Sequence, residues 1–297
     1  MIPAVAKRRK VIIGIAGLPA AGCSKSLLHS PRPRKPLGLA HLTVARELAL
    51  DYAGTLRRAE AFGYTHFGFP LGAQSPRHDP PRDPVEVASL CREAGLAIGT
   101  LRLAHSSDYQ HQMQLARNLG ASIVAQSAAD VFFTGTIPGR TTRAAFEDWM
   151  LRLEKMARAA QTEGVRLVYH NHDWDHVPLE GKTPLELIAE NFSTGEVDFE
   201  IDIGWAAVAG VDPVALLEEL GPRVLSLHLK DVDRGCADSY CRRFGAPGEG
   251  DLCYHDLMPR IGQLSDAIGY VEVDDPVNGA RAAARAALTF RRSFAAP

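Results

Sequence analysis

The chain has 297 residues, of which 46% are hydrophobic and 23% are charged. A chain of this length and composition can bury a sizeable core, as one large domain or two small ones. Its formal net charge of -2 at pH 7 argues against broad nucleic-acid binding, which requires a basic face. In the body of the chain, no apolar run approaches the length of a membrane span.

The first 36 residues differ from the rest and predict an export leader followed by a linker. The basic run Lys7–Lys10 contains adjacent arginines, which resemble a twin-arginine signal, and it precedes the apolar run Val11–Leu18. Ala20–Cys23 resembles a weak lipobox, and the basic, proline-containing stretch Ser24–Pro36 reads as a linker. We therefore predict a periplasmic or exported protein. The alternative is a cytoplasmic protein with an extension, or with a start codon assigned too early.

The five cysteines do not define a disulfide framework. Cys91 falls in a helical pattern and is predicted to be core. Cys236 and Cys241 share one loop and could pair in an exported protein. Their spacing fits no common zinc motif, which argues against a structural zinc knuckle.

Strand-like and helix-like patterns alternate from Leu37 onward. Asp51 is a candidate helix N-cap, Pro84 stands where a first helical turn tolerates proline, and Gly120 closes a helix. The predicted strands of this half are Leu37–Thr43, Tyr64–Phe69, Leu96–Leu103 and Ala121–Gln126, and its helices are Tyr52–Phe62, Pro84–Ala94, Tyr109–Leu119 and Thr142–Glu163.

The second half repeats this rhythm more plainly. Its predicted strands are Val165–Tyr169, Val197–Ile203, Val224–Leu229 and Tyr270–Val273, and its helices are Pro184–Glu190, Asp212–Gly221, His255–Ala267 and Pro276–Phe294. Eight strand–helix units over about 250 residues predict an α/β protein with a single closed (β/α)8 TIM barrel over residues 37–297. A doubly wound open sheet is the alternative. No Gly-x-Gly-x-x-Gly turn follows the first strand, which disfavours that sheet and dinucleotide binding with it.

Polar side chains gather where the later strands end, which is where active sites of such barrels lie. His170 and His172 end the fifth strand on one face, because strand residues alternate between faces. Asp202 ends the sixth strand. A site that combines the nitrogen ligands of histidine with carboxylate oxygens suits Mn, Co, Zn or Fe(II) better than Ca. Each such residue alone is more often structural, but together they predict a cation site. The last two strands contribute His228, Lys230, Glu272 and Asp274.

Several segments of the second half carry a shared pattern in combination. They are Tyr169–Asp173, Glu200–Trp205, Ala209–Pro213, Arg223–Asp231, Gly248–Asp251 and Val271–Pro276. These segments resemble the xylose-isomerase-like TIM-barrel superfamily, in particular its sugar phosphate isomerase/epimerase branch, which includes inosose-dehydratase-like proteins. The first half matches more loosely. The resemblance runs from about Leu37 to the C-terminus.

The resemblance implies a divalent metal cation (Mn, Co, Zn or Mg) held by residues of the last four strands. Many relatives carry glutamate at the position of His170. They also usually carry glutamate at the position of Gly68 and histidine at that of Arg102, both at strand ends. The histidine form also occurs in the inosose-dehydratase-like branch, so it is the departures at Gly68 and Arg102 that imply a different substrate or the loss of part of the usual catalytic set. The positions carried over as metal ligands are His170, Asp202, His228 and Glu272.

A metal at such a site would stabilise the enediolate formed when the α-proton of a sugar leaves. Glu272 and His172 are the residues predicted to move that proton. Lys230 is predicted to hold a developing oxyanion or a substrate phosphate, with a salt bridge to Asp231 as its structural alternative. The residues predicted to bind substrate are Trp205, Glu249 and Arg102.

The leading hypothesis is therefore a metal-dependent isomerase or epimerase acting on a sugar or polyol. Its enzymatic alternative is a lyase that dehydrates a keto-polyol or cleaves a keto-glycoside by the same α-proton chemistry. Gly68 and Arg102 motivate a third hypothesis, a non-catalytic carbohydrate-binding barrel. The acidic balance disfavours an endonuclease acting at abasic DNA sites. We expect a small-molecule sugar or polyol partner, no nucleic acid and no transmembrane span. The sequence does not decide whether the chain forms a homo-oligomer.

Overall fold

The structure is a computed structural model, and it describes residues 35–72, 82–104, 106–235 and 244–294. The predicted leader and the pair Cys236 and Cys241 lie outside the described residues. Among the described helices, none combines the length and the apolar character that crossing a membrane requires. Cys91 is fully buried, as its helical pattern predicted.

Within the described residues, nine parallel strands form one sheet. In chain order they are β1 (Leu37–Ala40), β2 (His66–Gly68), β3 (Ala97–Ile98), β4 (Leu101–Arg102), β5 (Ile123–Ser127), β6 (Arg166–His170), β7 (Asp198–Asp202), β8 (Val224–Leu229) and β11 (Ile268–Val271). The other two strands, β9 (Asp231–Val232) and β10 (Phe244–Gly245), form a separate short antiparallel pair between β8 and β11 in the chain. Neighbours in the sheet follow the order β3-β2-β1-β11-β8-β7-β6-β5-β4.

The two ends of this sheet belong to one barrel strand. Only Gly99 and Thr100 separate β3 from β4. Arg102 pairs with Pro70, beside β2, and also with Ala125 in β5. The ladder therefore returns on itself, and the predicted (β/α)8 barrel is confirmed, with its third strand split in two.

Helices follow the strands, and polar residues start most of them. Asp51 caps its helix as predicted, since its Oδ1 accepts a hydrogen bond of 2.8 Å from the backbone N–H of Gly54. Gly120 ends another helix with a φ of 93°, a conformation that favours glycine. The α-helices are α1 (Ala45–Leu50), α2 (Tyr52–Ala61), α3 (Pro84–Glu93), α4 (Tyr109–Leu119), α5 (Arg143–Glu163), α6 (Pro184–Asn191), α7 (Ile203–Val208), α8 (Pro213–Leu220), α9 (Tyr254–Leu264) and α10 (Gly279–Phe294).

Short elements at the carboxyl-terminal mouth of the barrel differ from the prediction. β1 ends at Ala40 rather than at Thr43, because the chain turns into a 3-10 helix there. The hydroxyl of Thr43 then donates to the carbonyl of Val271 at 3.1 Å and accepts from the N–H of Val273 at 2.9 Å. This turn fastens the end of β1 to the end of β11, where side chains of the site begin.

The ring of Tyr270 fills the barrel interior beneath this mouth, and three glycines make room for it. A Cβ at Gly38 would overlap the ring, and one at Gly99 would lie 2.6 Å from it. At Gly68 a Cβ would approach the carbonyl oxygen of Thr100 to 2.8 Å and the Tyr270 ring to 3.6 Å. The space that a larger residue at Gly68 would use is therefore occupied.

Candidate active site at the carboxyl-terminal mouth of the barrel

Four potential metal ligands meet at the mouth. His170 and Asp202 end β6 and β7, His228 lies near the end of β8, and Glu272 directly follows β11. All four are buried, and one ligand atom from each lies within 4.8 Å of the others. The parallel register brings them together, since Asp202 pairs with His228 across β7 and β8.

Asp202 stands between the two histidines of this set. Its Oδ1 accepts a hydrogen bond from the backbone N–H of Trp205 at 3.0 Å and so caps α7. Its Oδ2 is buried and lies 3.0 Å from the ammonium nitrogen of Lys230. That oxygen lies 3.8 Å from His170 Nε2 and 3.7 Å from His228 Nδ1. Burial raises the pKa of Asp202, but the ammonium of Lys230 and the histidines outweigh it and lower the pKa to about 2.

Glu200 is a site residue that the sequence reasoning missed. Its fully buried Oε1 accepts a hydrogen bond of 2.7 Å from Arg102 Nη2 and lies 3.2 Å from both His170 Nδ1 and His228 Nε2. Its Oε2 accepts from the hydroxyl of Ser226 at 2.8 Å. Burial raises the pKa of Glu200, but His228 and Arg102 outweigh it and hold the pKa far below its usual value. Strand alternation could have revealed this residue, because it lies two positions before Asp202 on the same face.

Arg102, at the end of β4, reaches into the same cluster. Its Nη2 lies 2.7 Å from His228 Nε2 and 4.0 Å from Glu272 Oε2. A guanidinium N–H can only donate, so this contact favours the neutral imidazole of His228. Burial also lowers the pKa of His228, but Glu200 and Glu272 outweigh both effects and raise it to about 9. Arg102 therefore lowers the pKa of His228, whereas the carboxylates of Glu200 and Glu272 raise it.

Lys230 is fully buried and pairs with carboxylates of the site. Its Nζ lies 3.0 Å from Asp202 Oδ2, 3.1 Å from Glu272 Oε1 and 2.9 Å from Asp274 Oδ2. Burial lowers the pKa of Lys230, but these carboxylates outweigh it and raise the pKa well above its usual value. The structural alternative from the sequence, a salt bridge with Asp231, is not formed.

Asp231 instead organises the loop behind the site. Its buried carboxylate accepts hydrogen bonds of 2.8 to 2.9 Å from the backbone N–H groups of Val232, Gly248 and Leu252. Glu249 lies in this loop, and its Oε1 is 2.6 Å from Nε of Arg285. The structure does not place Glu249 among the residues that line the cavity, so its substrate role stays a prediction.

A cavity of about 210 Å³ opens above the cluster. Sites for drug-sized ligands enclose roughly 300–1,000 Å³, so this cavity suits a small, single-ring ligand. Apart from Glu249, every residue predicted to bind substrate lines it. Predicted site residues among its walls are Arg102, His170, His172, Trp205, His228 and Glu272.

His172 forms one wall of the cavity. Its ring lies 4.8 Å from that of His170 and 5.4 Å from that of Trp205, and it stacks on Trp174 at 4.5 Å with an interplanar angle of 12°. Burial, followed by the neighbouring His170, holds the pKa of His172 well below its usual value. The imidazole is therefore neutral near pH 7 and able to accept a proton.

The backbone of His172 is held by a carboxyl group with a raised pKa. Asp175 Oδ2 accepts a hydrogen bond of 2.8 Å from the N–H of His172, and its Oδ1 accepts one of 2.7 Å from the hydroxyl of Tyr169. Burial raises the pKa of Asp175 to about 7, although both hydrogen bonds lower it.

This raised pKa makes stability depend on pH. The folded chain keeps the Asp175 proton up to about pH 7, whereas the unfolded chain releases it near the ordinary aspartate pKa of 3.8. The free energy of unfolding should therefore fall, relative to an Asp175→Asn variant, as the pH rises between these values, by at most about 1.4 kcal/mol per pH unit. Urea unfolding of both proteins at pH 4.5, 6 and 8 measures the difference. Parallel profiles would show that Asp175 ionises normally.

Comparison with known proteins agrees with this geometry. The family described as "Xylose isomerase-like TIM barrel" matches residues 56–293. The chain belongs to this family. The family predicted from the sequence motifs is thus confirmed.

Curated relatives match a smaller part of the chain. The inosose dehydratase of Mesomycoplasma hyopneumoniae (strain 7448) is 25% identical over 189 residues, which cover 56% of this chain and 61% of the relative. The inosose dehydratase of Geobacillus kaustophilus is 26% identical over 147 residues, which cover 46% of this chain and 47% of the relative. The chain therefore spans about half to three-fifths of the length of these relatives.

Solved structures share the fold over most of the chain. A sugar phosphate isomerase/epimerase from Parabacteroides distasonis superposes with a TM-score of 0.69 at 19% identity, covering 88% of this chain and 97% of the other. An L-ribulose 3-epimerase superposes with a TM-score of 0.64 at 15% identity, covering 87% of this chain and 95% of the other. Two further neighbours were solved with a metal. A barrel from Mycobacterium smegmatis with magnesium has a TM-score of 0.58 at 15% identity, covering 88% of this chain and 96% of the other. The IOLI protein with zinc has a TM-score of 0.64 at 13% identity, covering 87% of this chain and 98% of the other.

Proposed function

We propose that this chain is a metal-dependent isomerase or epimerase acting on a sugar or polyol derivative through α-proton abstraction. One observation carries the proposal: four buried side chains offer ligand atoms within 4.8 Å of one another at the mouth of the barrel. They are His170, Asp202, His228 and Glu272. The isomerase, epimerase and dehydratase names of its relatives support an enzymatic role.

The chemistry of the donor set fits a divalent metal. Asp202 Oδ2 is a buried oxygen that faces a nitrogen of His170 and of His228 as well as the ammonium of Lys230. Burial, together with Arg102, lowers the pKa of His170 to about 4, so this imidazole is neutral as a metal ligand must be. Two imidazoles favour zinc or cobalt over magnesium.

The charges around the set also leave room for a cation. The buried carboxylates of Glu200, Asp202 and Glu272 face the buried cations of Arg102 and Lys230, and they raise the pKa of His228 to about 9, so a metal ion would take the place of the His228 proton as the third positive charge. Burying uncompensated negative charge is costly, and a metal ion offsets it. Lys230 touches two ligand oxygens and would share them with the metal.

The residues of the cavity provide the remaining chemistry. A bound metal would act as a Lewis acid on the sugar carbonyl and so favour loss of the α-proton. The neutral imidazole of His172 is placed to accept that proton, with Glu272 as the alternative base. Lys230 stays protonated but does not line the cavity, so it would act on a developing oxyanion only through the ligands Asp202 and Glu272 that it contacts. Trp205 offers a face for the sugar ring.

A dehydratase is the second candidate, and the inosose dehydratases among the curated relatives favour it. The first step, α-proton abstraction, is the same. The reaction would then continue by loss of a hydroxyl group, which leaves as water after taking up a proton. The two candidates differ in product and not in the residues that begin the reaction.

Metal analysis of the purified protein, followed by proton–deuterium exchange on a panel of keto-sugars, tests the proposal. We expect about one zinc or cobalt ion per chain and NMR-detected loss of the α-proton signal in deuterated water. The matched control Asp202→Ala should lose both metal and exchange. Sugar binding without exchange in the metal-loaded protein would contradict the proposal and favour the non-catalytic barrel.

A further inference from the structure

The tip of the third barrel strand carries polar atoms that the proposed mechanism does not use. Thr100 and Arg102 lie two positions apart, and both line the cavity. Thr100 Oγ1 and Arg102 Nη1 are buried and make no hydrogen bond with the described residues. Buried donors without an acceptor destabilise a fold, so a ligand that supplies acceptor oxygens would be bound favourably here.

Tyr270 adds a third donor to this strand tip. Its hydroxyl oxygen accepts a hydrogen bond of 3.1 Å from the backbone N–H of Thr100, which leaves the hydroxyl proton available for donation. The residue also lines the cavity. The glycines beneath its ring fix its position, because any larger residue at Gly38 or Gly99 would collide with it.

The guanidinium of Arg102 is held so that its Nη1 remains available to a ligand. Its Nη2 donates to Glu200 Oε1 at 2.7 Å and lies 4.0 Å from Glu272 Oε2, beyond hydrogen-bond distance. Its Nη1 has no such acceptor. Arginine presents its N–H groups in a rigid plane, which matches a planar carboxylate.

We propose that Thr100, Arg102 and Tyr270 bind a carboxylate group of the substrate. The substrate would then be a sugar acid, such as an aldonate or a uronate, instead of a neutral sugar. This inference rests on the proposed function, in which the cavity is the substrate site. A phosphate fits less well, because its second negative charge would face Glu200 and Glu272 across the same guanidinium.

Calorimetric titration with two matched pairs of probes tests this site. The first pair is D-glucuronate and D-glucose, and the second is glycolate and ethylene glycol. The members of each pair differ in a carboxylate. All titrations use the metal-loaded protein, and the variants below separate carboxylate binding at this strand tip from carboxylate binding at the metal. We expect the carboxylate of each pair to bind about 10-fold to 100-fold more tightly, the range for a charged hydrogen-bonded contact.

Two variants and one control locate the effect. Tyr270→Phe keeps the packed ring and removes only the hydroxyl, so it should reduce the preference several-fold without loss of folding. Arg102→Gln should abolish the preference. The control Arg166→Gln removes an arginine that pairs with Asp198 at the opposite end of β6, and it should leave the preference unchanged. Thermal unfolding confirms that each variant is folded.

The outcomes separate this inference from the proposed function. Equal binding of glucose and glucuronate would overturn the carboxylate site and leave a sugar site standing. A carboxylate preference that persists in both Tyr270→Phe and Arg102→Gln would also overturn it. Glycolate binding that depends on Arg102, without binding of either sugar, would support the carboxylate site and contradict the sugar function. Binding of none of the probes would overturn both.

Discussion

Replacing His170 by alanine is expected to weaken metal binding by about 100-fold or more. Loss of even an outer-shell partner of a metal ligand costs 10-fold to 100-fold in affinity, and His170 is proposed as a ligand itself. Its Nε2 lies 3.8 Å from Asp202 Oδ2, another proposed ligand atom. Competition titrations with zinc and with cobalt, read by a chromophoric chelator, measure the change. In the wild-type chain, magnesium should bind more weakly than either ion.

His172→Ala is the matched control, because its ring lies only 4.8 Å from that of His170 and lines the same cavity. This variant should keep the metal and lose turnover. Full metal occupancy in His170→Ala would show that the ligand assignment is wrong and that His172 takes its place. If neither variant changes metal content, Asp202, His228 and Glu272 hold the metal without a residue of β6.

The sequence was sufficient to predict that the four proposed ligands meet, because their placement depends on local rules. Alternation places every second residue of a strand on one face, and parallel strands end at one edge of the barrel. His170, Asp202 and His228 are each the last or nearly the last residue of their strands. Their convergence follows once the barrel itself is predicted from the strand–helix rhythm.

The partners of the ligands could not be predicted in the same way, because they come from distant parts of the chain. Arg102 reaches Glu200, 98 residues away, and only the closure of the barrel between β4 and β5 sets that distance. Lys230 was predicted to hold an oxyanion or phosphate of the substrate, or to pair with its neighbour Asp231, and in the structure its Nζ contacts carboxylates from β7 and from the segment after β11. The departure at Gly68 likewise has a long-range cause, since a side chain there would approach the carbonyl oxygen of Thr100 to 2.8 Å.

The second large effect concerns stability and Glu200. Glu200→Ala is expected to lower the free energy of unfolding by about 3–5 kcal/mol, the usual cost of removing one partner of a buried ion pair. The carboxylate is fully buried and holds Arg102 at 2.7 Å, so its loss leaves a largely buried guanidinium without its hydrogen-bonded counter-ion. Chemical denaturation at pH 7 measures the change.

Two further variants separate charge from hydrogen bonding at this position. Ser226→Ala removes only the hydroxyl that donates to Glu200 Oε2 and should cost about 1 kcal/mol. Glu200→Gln keeps the shape and an acceptor but removes the charge, so its stability should lie between that of Ser226→Ala and that of Glu200→Ala. Glu200 Oε1 also lies 3.2 Å from a nitrogen of His170 and of His228, two of the proposed metal ligands. Glu200→Gln should therefore weaken metal binding by about 10-fold to 100-fold. A Glu200→Ala protein as stable as the wild type would mean that Arg102 finds another counter-ion, with Glu272 the nearest carboxylate to take that part.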